Sequence, residues 1–327
     1  MFKKGTVFIL GAGASFPYGL PTGEDLRNSI CEDKSKLALF LEREKNRDQS
    51  KANYLMSYWK FVQDFSQAHT ASIDKYLSQN ATDYSVIGKI AIAHDILYYE
   101  SKTKITRHKI EGDGDWYHFL FNLMIEDLNG EYDYKDFYNR NDGVSFVTFN
   151  YDRSLEHYLF TSLMKSFTKA SKDEIIKQLK SIPIYHIYGS IAPLKWQLNK
   201  EEFFYWDYGN AKIDFDSLKQ LSDNIRIVYD ERGDSFPEIS NAKRVIKDAN
   251  EVYLLGFGYA KENIDILGLR NRIHIKAGTA LGYLPEQVDR IKTRLKYLHE
   301  RGSIEPDIND CDCLLLFKKY FGFEWSQ

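Results

Sequence analysis

The stretch Thr6-Val7-Phe8-Ile9-Leu10-Gly11-Ala12-Gly13-Ala14-Ser15 decides the fold of this 327-residue chain. Its first five residues are apolar or β-branched and predict a buried strand, and small residues follow at once. Glycines let a backbone approach a pyrophosphate closely, and a helix after the turn offers N–H groups with a favourable dipole. The turn also suits a strand-to-helix connection without a ligand, and that alternative stays open.

Further short apolar runs follow the first one along the chain. They are continuous rather than alternating, which is typical of parallel strands covered on both faces. Helix-like segments separate most of them, so the pattern predicts an α/β fold with a doubly wound, mostly parallel, Rossmann-like sheet. The predicted strands are 6–10, 144–149, 184–188, 225–229, 252–255, 273–276 and 313–317, and the predicted helices are 154–167, 171–179, 237–247 and 285–299.

The region from about residue 31 to residue 141 interrupts this alternation. Its periodicity predicts helices at 37–47, 54–65, 86–99 and 116–128, and no convincing strand. We therefore predict a large, mostly helical insertion at 31–141, between the first and second core strands. Residues 1–30 and 142–327 would form the Rossmann-like domain.

Composition excludes some classes of function. The chain has 44 basic and 47 acidic residues and a net charge of -3, so we expect no direct nucleic-acid binding. Cys31, Cys311 and Cys313 fit neither a zinc ribbon nor a disulfide framework and predict reduced thiols. The apolar run near the N-terminus is too short for a secretory signal, and no stretch reaches the ~20 apolar residues of a membrane span. We expect a cytoplasmic protein without membrane contact.

Polar residues follow the second predicted strand, in Val144-Ser145-Phe146-Val147-Thr148-Phe149-Asn150-Tyr151-Asp152. Ligands of open α/β sheets bind at the carboxyl ends of the strands. Asn150 and Asp152 are two residues apart, so an extended chain would turn both to the same side. Ser154 would then cap the following helix. Asn and Asp are also common turn residues, which leaves a purely structural reading open.

Three short motifs, taken in their order along the chain, resemble motifs of the sirtuins. Gly11-Ala12-Gly13-Ala14-Ser15 is similar to the sirtuin Gly-Ala-Gly-Ile-Ser loop, Gly19-Leu20-Pro21 to the Gly-Ile-Pro flap, and Thr148-Phe149-Asn150-Tyr151-Asp152 to the Thr-Gln-Asn-Ile-Asp strand end. The set is most similar to the bacterial sirtuin-like branch of anti-phage defence, which destroys cellular NAD. Its Phe-Asn-Tyr-Asp core also resembles the related abortive-infection proteins.

The sequence departs from the fingerprint of the dinucleotide dehydrogenases. Phe16 stands where that fingerprint has its third glycine, and no strand with a terminal acidic residue follows ~20 residues later. Hydride transfer is therefore disfavoured. The residues after the glycine loop predict an ordered flap rather than a long helix.

The third strand carries Ile184-Tyr185-His186-Ile187-Tyr188-Gly189-Ser190, which resembles the His-Gly-Ser strand end of the sirtuins. Tyr188 replaces the family's catalytic histidine. We predict His186 as the base, because its ordinary pKa suits proton transfer near neutrality, although a structural role stays open. Residues 191–225 contain no cysteine, so the zinc ribbon of the deacylating sirtuins is missing and we predict no metal.

The resemblance implies an enzyme that splits NAD into nicotinamide and ADP-ribose or a cyclic product. Asn150 would hold the attacking water, His186 would accept a proton, and Asp152 would fix the nicotinamide carboxamide. The family's Gly-Thr-Ser loop resembles residues 256–258, and 277–280 follows the next predicted strand. Implied NAD-binding residues are Gly11, Ala12, Gly13, Ser15, Pro21, Thr148, Tyr188, Gly189, Gly256, Phe257, Gly258, Asn263 and Gly278.

Two other functions stay open. One is an NAD-dependent protein deacylase, and the other is a protein that binds NAD or ADP-ribose without turning it over and signals to a partner. The resemblance also implies a homo-oligomer and control by a partner, such as an ATPase of the same defence system.

Overall fold

The structure is a computed structural model. It describes residues 2–32, 35–68, 70, 72–103, 105, 114–199, 201–227, 236–270, 273–299 and 302–322. The chain divides into two compact units, which we call the sheet unit and the helical unit. The sheet unit comprises Met1–Tyr18, Lys104–Ile187 and Asp234–Gln327, and the helical unit comprises Gly19–Thr103 and Tyr188–Gly233.

Six parallel strands form the central sheet, in the order β3-β2-β1-β4-β5-β8, and β6 and β7 form a separate antiparallel pair. The predicted α/β, Rossmann-like, doubly wound parallel fold is thereby confirmed. The strands are β1 (Thr6–Leu10), β2 (Ser145–Thr148), β3 (Ile184–His186), β4 (Glu251–Leu255), β5 (Ile275–Thr279), β6 (Tyr297–His299), β7 (Gly302–Ile304) and β8 (Asp307–Asn309).

Helices separate most of these strands and also build the second unit. None of those within the described ranges combines the length and apolar character that a membrane crossing requires. They are α1 (Ala12–Ser15), α2 (Gly23–Cys31), α3 (Lys36–Arg47), α4 (Ala52–Gln67), α5 (Ile73–Gln79), α6 (Ala81–Lys102), α7 (Trp116–Ile125), α8 (Phe137–Arg140), α9 (Ser154–Ser166), α10 (Lys172–Lys180), α11 (Phe215–Ser222), α12 (Pro237–Lys247), α13 (Lys261–Leu267), α14 (Pro285–Leu295) and α15 (Cys313–Phe321).

Aromatic side chains form the core on one face of the sheet. Phe8 of β1 lies in register with Phe146 of β2 and Tyr253 of β4, and the ring centroids are 5.5 and 5.6 Å apart. Phe317 of α15 stacks on the Phe8 ring at 5.4 Å, and Trp116 of α7 stacks on Phe317. Burial of side chains of this size is the largest stabilising contribution available to the unit.

The helical unit is centred on α6. This 22-residue helix contacts α2, α3, α4, α5 and α11 and is buried around much of its circumference. Apolar side chains all round are typical of a helix at the middle of a core. An aromatic cluster at one end joins three helices and consists of Phe61, Phe65, Tyr76 and Tyr84.

Two predicted strands are wrong. Residues 313–317 form the first half of helix α15, whose N-cap is Asp312, and the last strand of the sheet is the short β8 instead. A continuous apolar run does not distinguish a strand from a buried helix, which explains the error. Residues 225–227 form no strand, and 228–229 lie outside the described residues. The predicted helix 285–299 ends at Leu295 and its last residues form β6.

The helical unit differs from the predicted insertion at both ends. Helices α7 and α8 belong to the sheet unit, where α7 contacts α15 and α9. The segment 188–233 instead joins the helical unit, because its helix α11 packs on α6. Composition alone does not indicate that α7 and α8 belong to the sheet unit or that 188–233 belongs to the helical unit.

Candidate functional site

The carboxyl ends of four strands are level in the sheet unit. Leu10, Thr148, His186 and Leu255 are the last residues of β1, β2, β3 and β4, and they lie in one register across the sheet. The residues that follow these strands are therefore brought to a common edge. This is the edge at which open α/β sheets bind their ligands.

Two glycine turns pack directly on each other at this edge. The Gly11 N–H donates to Leu255 O at 2.9 Å, and the Gly13 N–H donates to Gly256 O at 3.0 Å. A Cβ on Gly13 would lie 2.9 Å from the Gly256 Cα, and Gly256 itself has a φ of +56°. The close approach of two backbones therefore requires glycine at these positions, independently of any ligand.

The Asn150 side chain bridges to the first of these turns. Its Nδ2 donates to Gly11 O at 3.1 Å and to Ser15 Oγ at 3.2 Å. These two acceptors fix the orientation of the amide. Its Oδ1 is buried and has no hydrogen-bond partner among the described residues. A buried oxygen without a donor costs about 1–3 kcal/mol, so this atom is suited to accept a hydrogen bond from a bound water or ligand hydroxyl.

Asp152 lies beneath Asn150 and is engaged with protein groups. Its Oδ2 accepts from Ser15 Oγ at 2.9 Å, and its Oδ1 accepts from the Ser154 N–H at 3.1 Å and from the Ser154 hydroxyl. Burial raises the pKa of this carboxyl. The N-cap of α9 is Arg153, so the predicted capping by Ser154 is wrong, and Asp152 instead accepts from the N–H of Ser154, the first residue of the helix.

Two aromatic residues of α7 extend this buried network. The Trp116 Nε1–H donates to Ala14 O at 2.6 Å, and the Tyr117 hydroxyl is 3.0 Å from Ser154 Oγ. Both side chains are fully buried. The sequence analysis assigned α7 to the insertion and therefore missed these contacts, which fix the turn after β1 from outside the sheet.

His186 is paired at both ring nitrogens. Its Nδ1 is 2.9 Å from Asn150 O, and its Nε2 is 2.6 Å from Glu156 Oε1. Burial opposes charge on the ring, but Glu156 and the Asn150 carbonyl outweigh it and raise the pKa of His186 above its ordinary value. Both ring nitrogens are thus engaged with protein groups, so the predicted role as a base would require His186 to give up one of these two contacts. In this geometry His186 holds the Asn150 backbone.

The remaining predicted residues of the sheet unit mostly support the turns. Thr148 Oγ1 accepts from the Asn150 N–H, and the Phe257 ring packs on Phe149 at 5.5 Å. Gly278 lies inside β5, not after it, and a Cβ there would lie 2.6 Å from the Tyr259 hydroxyl, so its smallness serves packing. Ala12 and Asn263 are half-buried and Gly258 is exposed.

Thr279, which the sequence analysis did not select, accepts a hydrogen bond from the Gly256 N–H at 2.7 Å through its Oγ1. It therefore fixes the second glycine turn from the neighbouring strand. Thr279 falls in the segment 277–280, which the sequence analysis placed after a predicted strand, but its contact could not be predicted because it depends on the pairing of β4 with β5.

Pro21, Tyr188 and Gly189 belong to the helical unit. All three are buried. Gly189 has a φ of +71°, and the Tyr188 carbonyl accepts from the Arg226 N–H at 2.9 Å. Gly13, Asn150 and Gly256, the three residues on which the predicted dinucleotide site depends, do lie together in the sheet unit.

Searches of protein-family models and of curated proteins both find no match to this chain. Within the described ranges, no group of three or more His, Cys, Asp and Glu side chains has an arrangement that could hold a metal ion. The chemistry available at the site is thus that of an oriented amide, backbone groups of two turns and a buried ion pair.

Proposed function

We propose that the sheet unit binds NAD at the carboxyl edge of β1, β2 and β4 and cleaves it to nicotinamide and ADP-ribose. One observation carries the proposal: Asn150 is oriented by Gly11 and Ser15, and its buried Oδ1 has no partner within the described residues. A site with a buried, unused acceptor is suited to a hydroxyl-bearing ligand or to a water that attacks one.

In this proposal Asn150 is the catalytic residue. Its Oδ1 accepts a hydrogen bond from the attacking water and holds it against the sugar carbon of the glycosidic bond, which breaks through an oxocarbenium-like transition state. Water supplies the hydroxyl group of ADP-ribose and releases a proton to solvent. The glycine turns give a pyrophosphate close access to the backbone at the same edge.

Asp152 and His186 are positioning residues in this scheme. Asp152 fixes Ser15 and the start of α9, and His186 fixes the Asn150 carbonyl. The sequence-based assignment of Asp152 to the nicotinamide carboxamide would require one of its oxygens to exchange a protein donor for the ligand. The observed contacts favour the indirect role.

The test is chromatography of NAD incubated with the purified protein. We expect nicotinamide release by the wild type and a loss of about 10²-fold or more in Asn150→Ala, because an oriented group that acts in the transition state is removed. Asn139→Ala, which changes an exposed asparagine of α8, is the matched control and should keep full activity. Circular dichroism checks the fold of each variant. Equal rates for wild type and Asn150→Ala would refute the role of Asn150.

The pairing of His186 specifically favours a second candidate, a protein that binds NAD or ADP-ribose without turnover. Without a free base, a rate contribution of about 10²–10⁴ is missing. Calorimetry that shows NAD binding to the wild type, weakened in Asn150→Ala, together with no nicotinamide release would establish this function. Nicotinamide release only in the presence of an acylated lysine peptide would instead indicate a deacylase.

We further propose that the protein acts in the cytoplasm as an anti-phage effector and that oligomerisation or a partner, such as an ATPase, controls it. Unregulated hydrolysis would deplete the NAD of the host cell, so a control step is required. Size-exclusion chromatography combined with light scattering measures the oligomeric state, and NAD hydrolysis measured with and without the partner tests the control.

A further inference from the structure

The helical unit contains a cavity of about 290 Å³ that the proposed NAD chemistry does not use. Lys36 and Arg43 line it from α3, where a spacing of seven residues brings them to the same helix face two turns apart. His94 and Leu97 line it from α6. Ile213, in the segment that precedes α11, contributes to a third side.

Among the described residues, the titratable side chains that line this cavity are Lys36, Arg43 and His94, and no carboxylate lines it. In the part of the chain that the structure describes, neither Lys36 nor Arg43 forms an ion pair. Because the whole chain has a net charge of -3, this local excess does not follow from a generally basic surface.

The basic groups keep donors that a ligand can use. The Arg43 Nε donates a hydrogen bond to Leu39 O at 3.3 Å. The two terminal nitrogens of the guanidinium remain available to a ligand, and their geometry matches that of a phosphate. The His94 Nδ1 lies 3.3 Å from Asp95 Oδ1, so Nε2 is the nitrogen left for a ligand, and it donates to a phosphate when the ring carries hydrogen on both nitrogens. The Lys36 Nζ lies 4.4 Å from the centroid of the Tyr98 ring, which keeps the ammonium close to the cavity.

The rest of the described lining is apolar or aromatic and comes from Leu39, Leu97, Tyr98, Ala211 and Ile213. A purely inorganic anion would leave these side chains without contacts. The volume is at the lower end of the ~300–1,000 Å³ typical of small-molecule sites. A ligand with one anionic group and a compact apolar or aromatic body therefore matches both the charge and the size.

We propose that this cavity binds a small organic phosphate of the size of a nucleoside monophosphate or smaller. The phosphate contacts Lys36, Arg43 and His94, and the organic body lies against Leu39, Leu97 and Ile213. Nothing in this assignment depends on NAD binding or cleavage in the sheet unit.

Calorimetric titration of the full chain with AMP, adenosine and inorganic phosphate tests the proposal. We expect AMP to bind at this cavity, and we expect adenosine and phosphate each to bind there at least about ten-fold more weakly, since each lacks one half of the contacts. Equal affinity for AMP and adenosine would overturn the role of the basic groups, and equal affinity for AMP and phosphate would overturn that of the apolar ones. The absence of AMP binding would overturn both.

Variants locate the ligand. Lys36→Gln and Arg43→Gln should each weaken AMP binding by about ten-fold, because a charged hydrogen bond to phosphate is lost. Lys45→Gln makes the same charge change on α3 outside the cavity and is the matched control. Asn150→Ala, in the sheet unit, should leave AMP binding unchanged. Loss of binding in Asn150→Ala with full binding in the two cavity variants would place AMP in the sheet unit and overturn the proposal.

Discussion

Glu156 and His186 determine how the backbone of Asn150 is held. Glu156 is almost completely buried, and the His186 ring links it to the Asn150 carbonyl through its two nitrogens. A buried ion pair of this kind is strongly destabilising when one partner is removed, because the other is left without compensation. The Glu156–His186 pair thus connects the stability of the sheet unit to the position of Asn150, its proposed catalytic residue.

This connection predicts a pH-dependent stability. Because the pKa of His186 is raised in the folded state, its contribution is complete below the ordinary value of 6.5 and is lost as the pH rises through the raised value. Glu156→Gln should lower the free energy of unfolding by about 3 kcal/mol near pH 6, and by less at alkaline pH, where the histidine is neutral. Thermal melts of both proteins across this range measure the difference.

Comparison of the two proteins at each pH removes the contribution of titrating groups that do not interact with the pair, such as Asp142. A difference that does not change with pH would mean that His186 is neutral throughout and that the pair is an ordinary hydrogen bond. NMR titration of the His186 ring gives an independent reading of the same pKa.

Asn150 and His186 differ in how much of their environment could be predicted from the sequence. The placement of Asn150 at the edge of the sheet could be predicted, because a strand followed by polar residues is a local pattern. The partners of His186 could not be, since Glu156 lies 30 positions earlier in a different element. The base role of His186 stays a prediction that these contacts disfavour, because a carboxylate far away in the sequence engages one of its ring nitrogens.

Among the elements, the turns after β1 and β4 form a contact that leaves no room for a side chain on Gly256. An added Cβ on Gly256 would overlap the nitrogen of Ala14, and its φ of +56° is one that L side chains rarely adopt. Gly268, the C-cap of α13, has a similar φ of +65° but open space around it, and Gly258 has open space without a positive φ.

These three glycines separate two causes of destabilisation. We expect Gly258→Ala to be nearly neutral and Gly268→Ala to cost about 1 kcal/mol from backbone strain alone. Gly256→Ala should cost at least about 3 kcal/mol, because strain and overlap act together. Urea unfolding of the three variants measures these values. Equal costs for the variants at 256 and 268 would show that the turns separate without penalty.

The strands illustrate which elements a sequence specifies. Strands β1, β2 and β4 are predicted almost to the residue, because they are buried and bounded by small or polar residues. Strand β8 could not be predicted from the sequence, since Asp307-Ile308-Asn309 contains one apolar residue and its extended conformation depends on pairing with β5. For α15 the local signal was present: Asp312 accepts from the Leu315 N–H, as an N-cap residue does.

At the scale of the whole molecule, each of the two compact units has buried aromatic side chains of its own. Phe8 is fully buried in the sheet unit, and Phe215 is buried in the helical unit against Tyr54, with ring centroids 4.6 Å apart. The sequence indicated a helical region, but its boundaries required knowledge of tertiary contacts. Helix α11 lies far along the chain from the helix on which it packs.

Buried aromatic side chains within each unit predict separate responses to mutation. Phe215→Ala and Phe8→Ala should each cost about 3–5 kcal/mol within their own unit. Hydrogen exchange measured by mass spectrometry should therefore accelerate in residues 19–103 and 188–227 for Phe215→Ala. For Phe8→Ala the acceleration should concentrate in β1, β2 and β4. Acceleration across both units in either variant would indicate a single cooperative core.

The pairing of β1 has a consequence for biosynthesis. Thr6 to Leu10 leave the ribosome well before both neighbouring strands, since one of these begins at Ser145 and the other at Glu251. Contacts between residues so distant in the chain slow folding, because the intervening loop must close before they form. Strand β1, with its apolar side chains, must therefore stay shielded from aggregation until β4 has been translated.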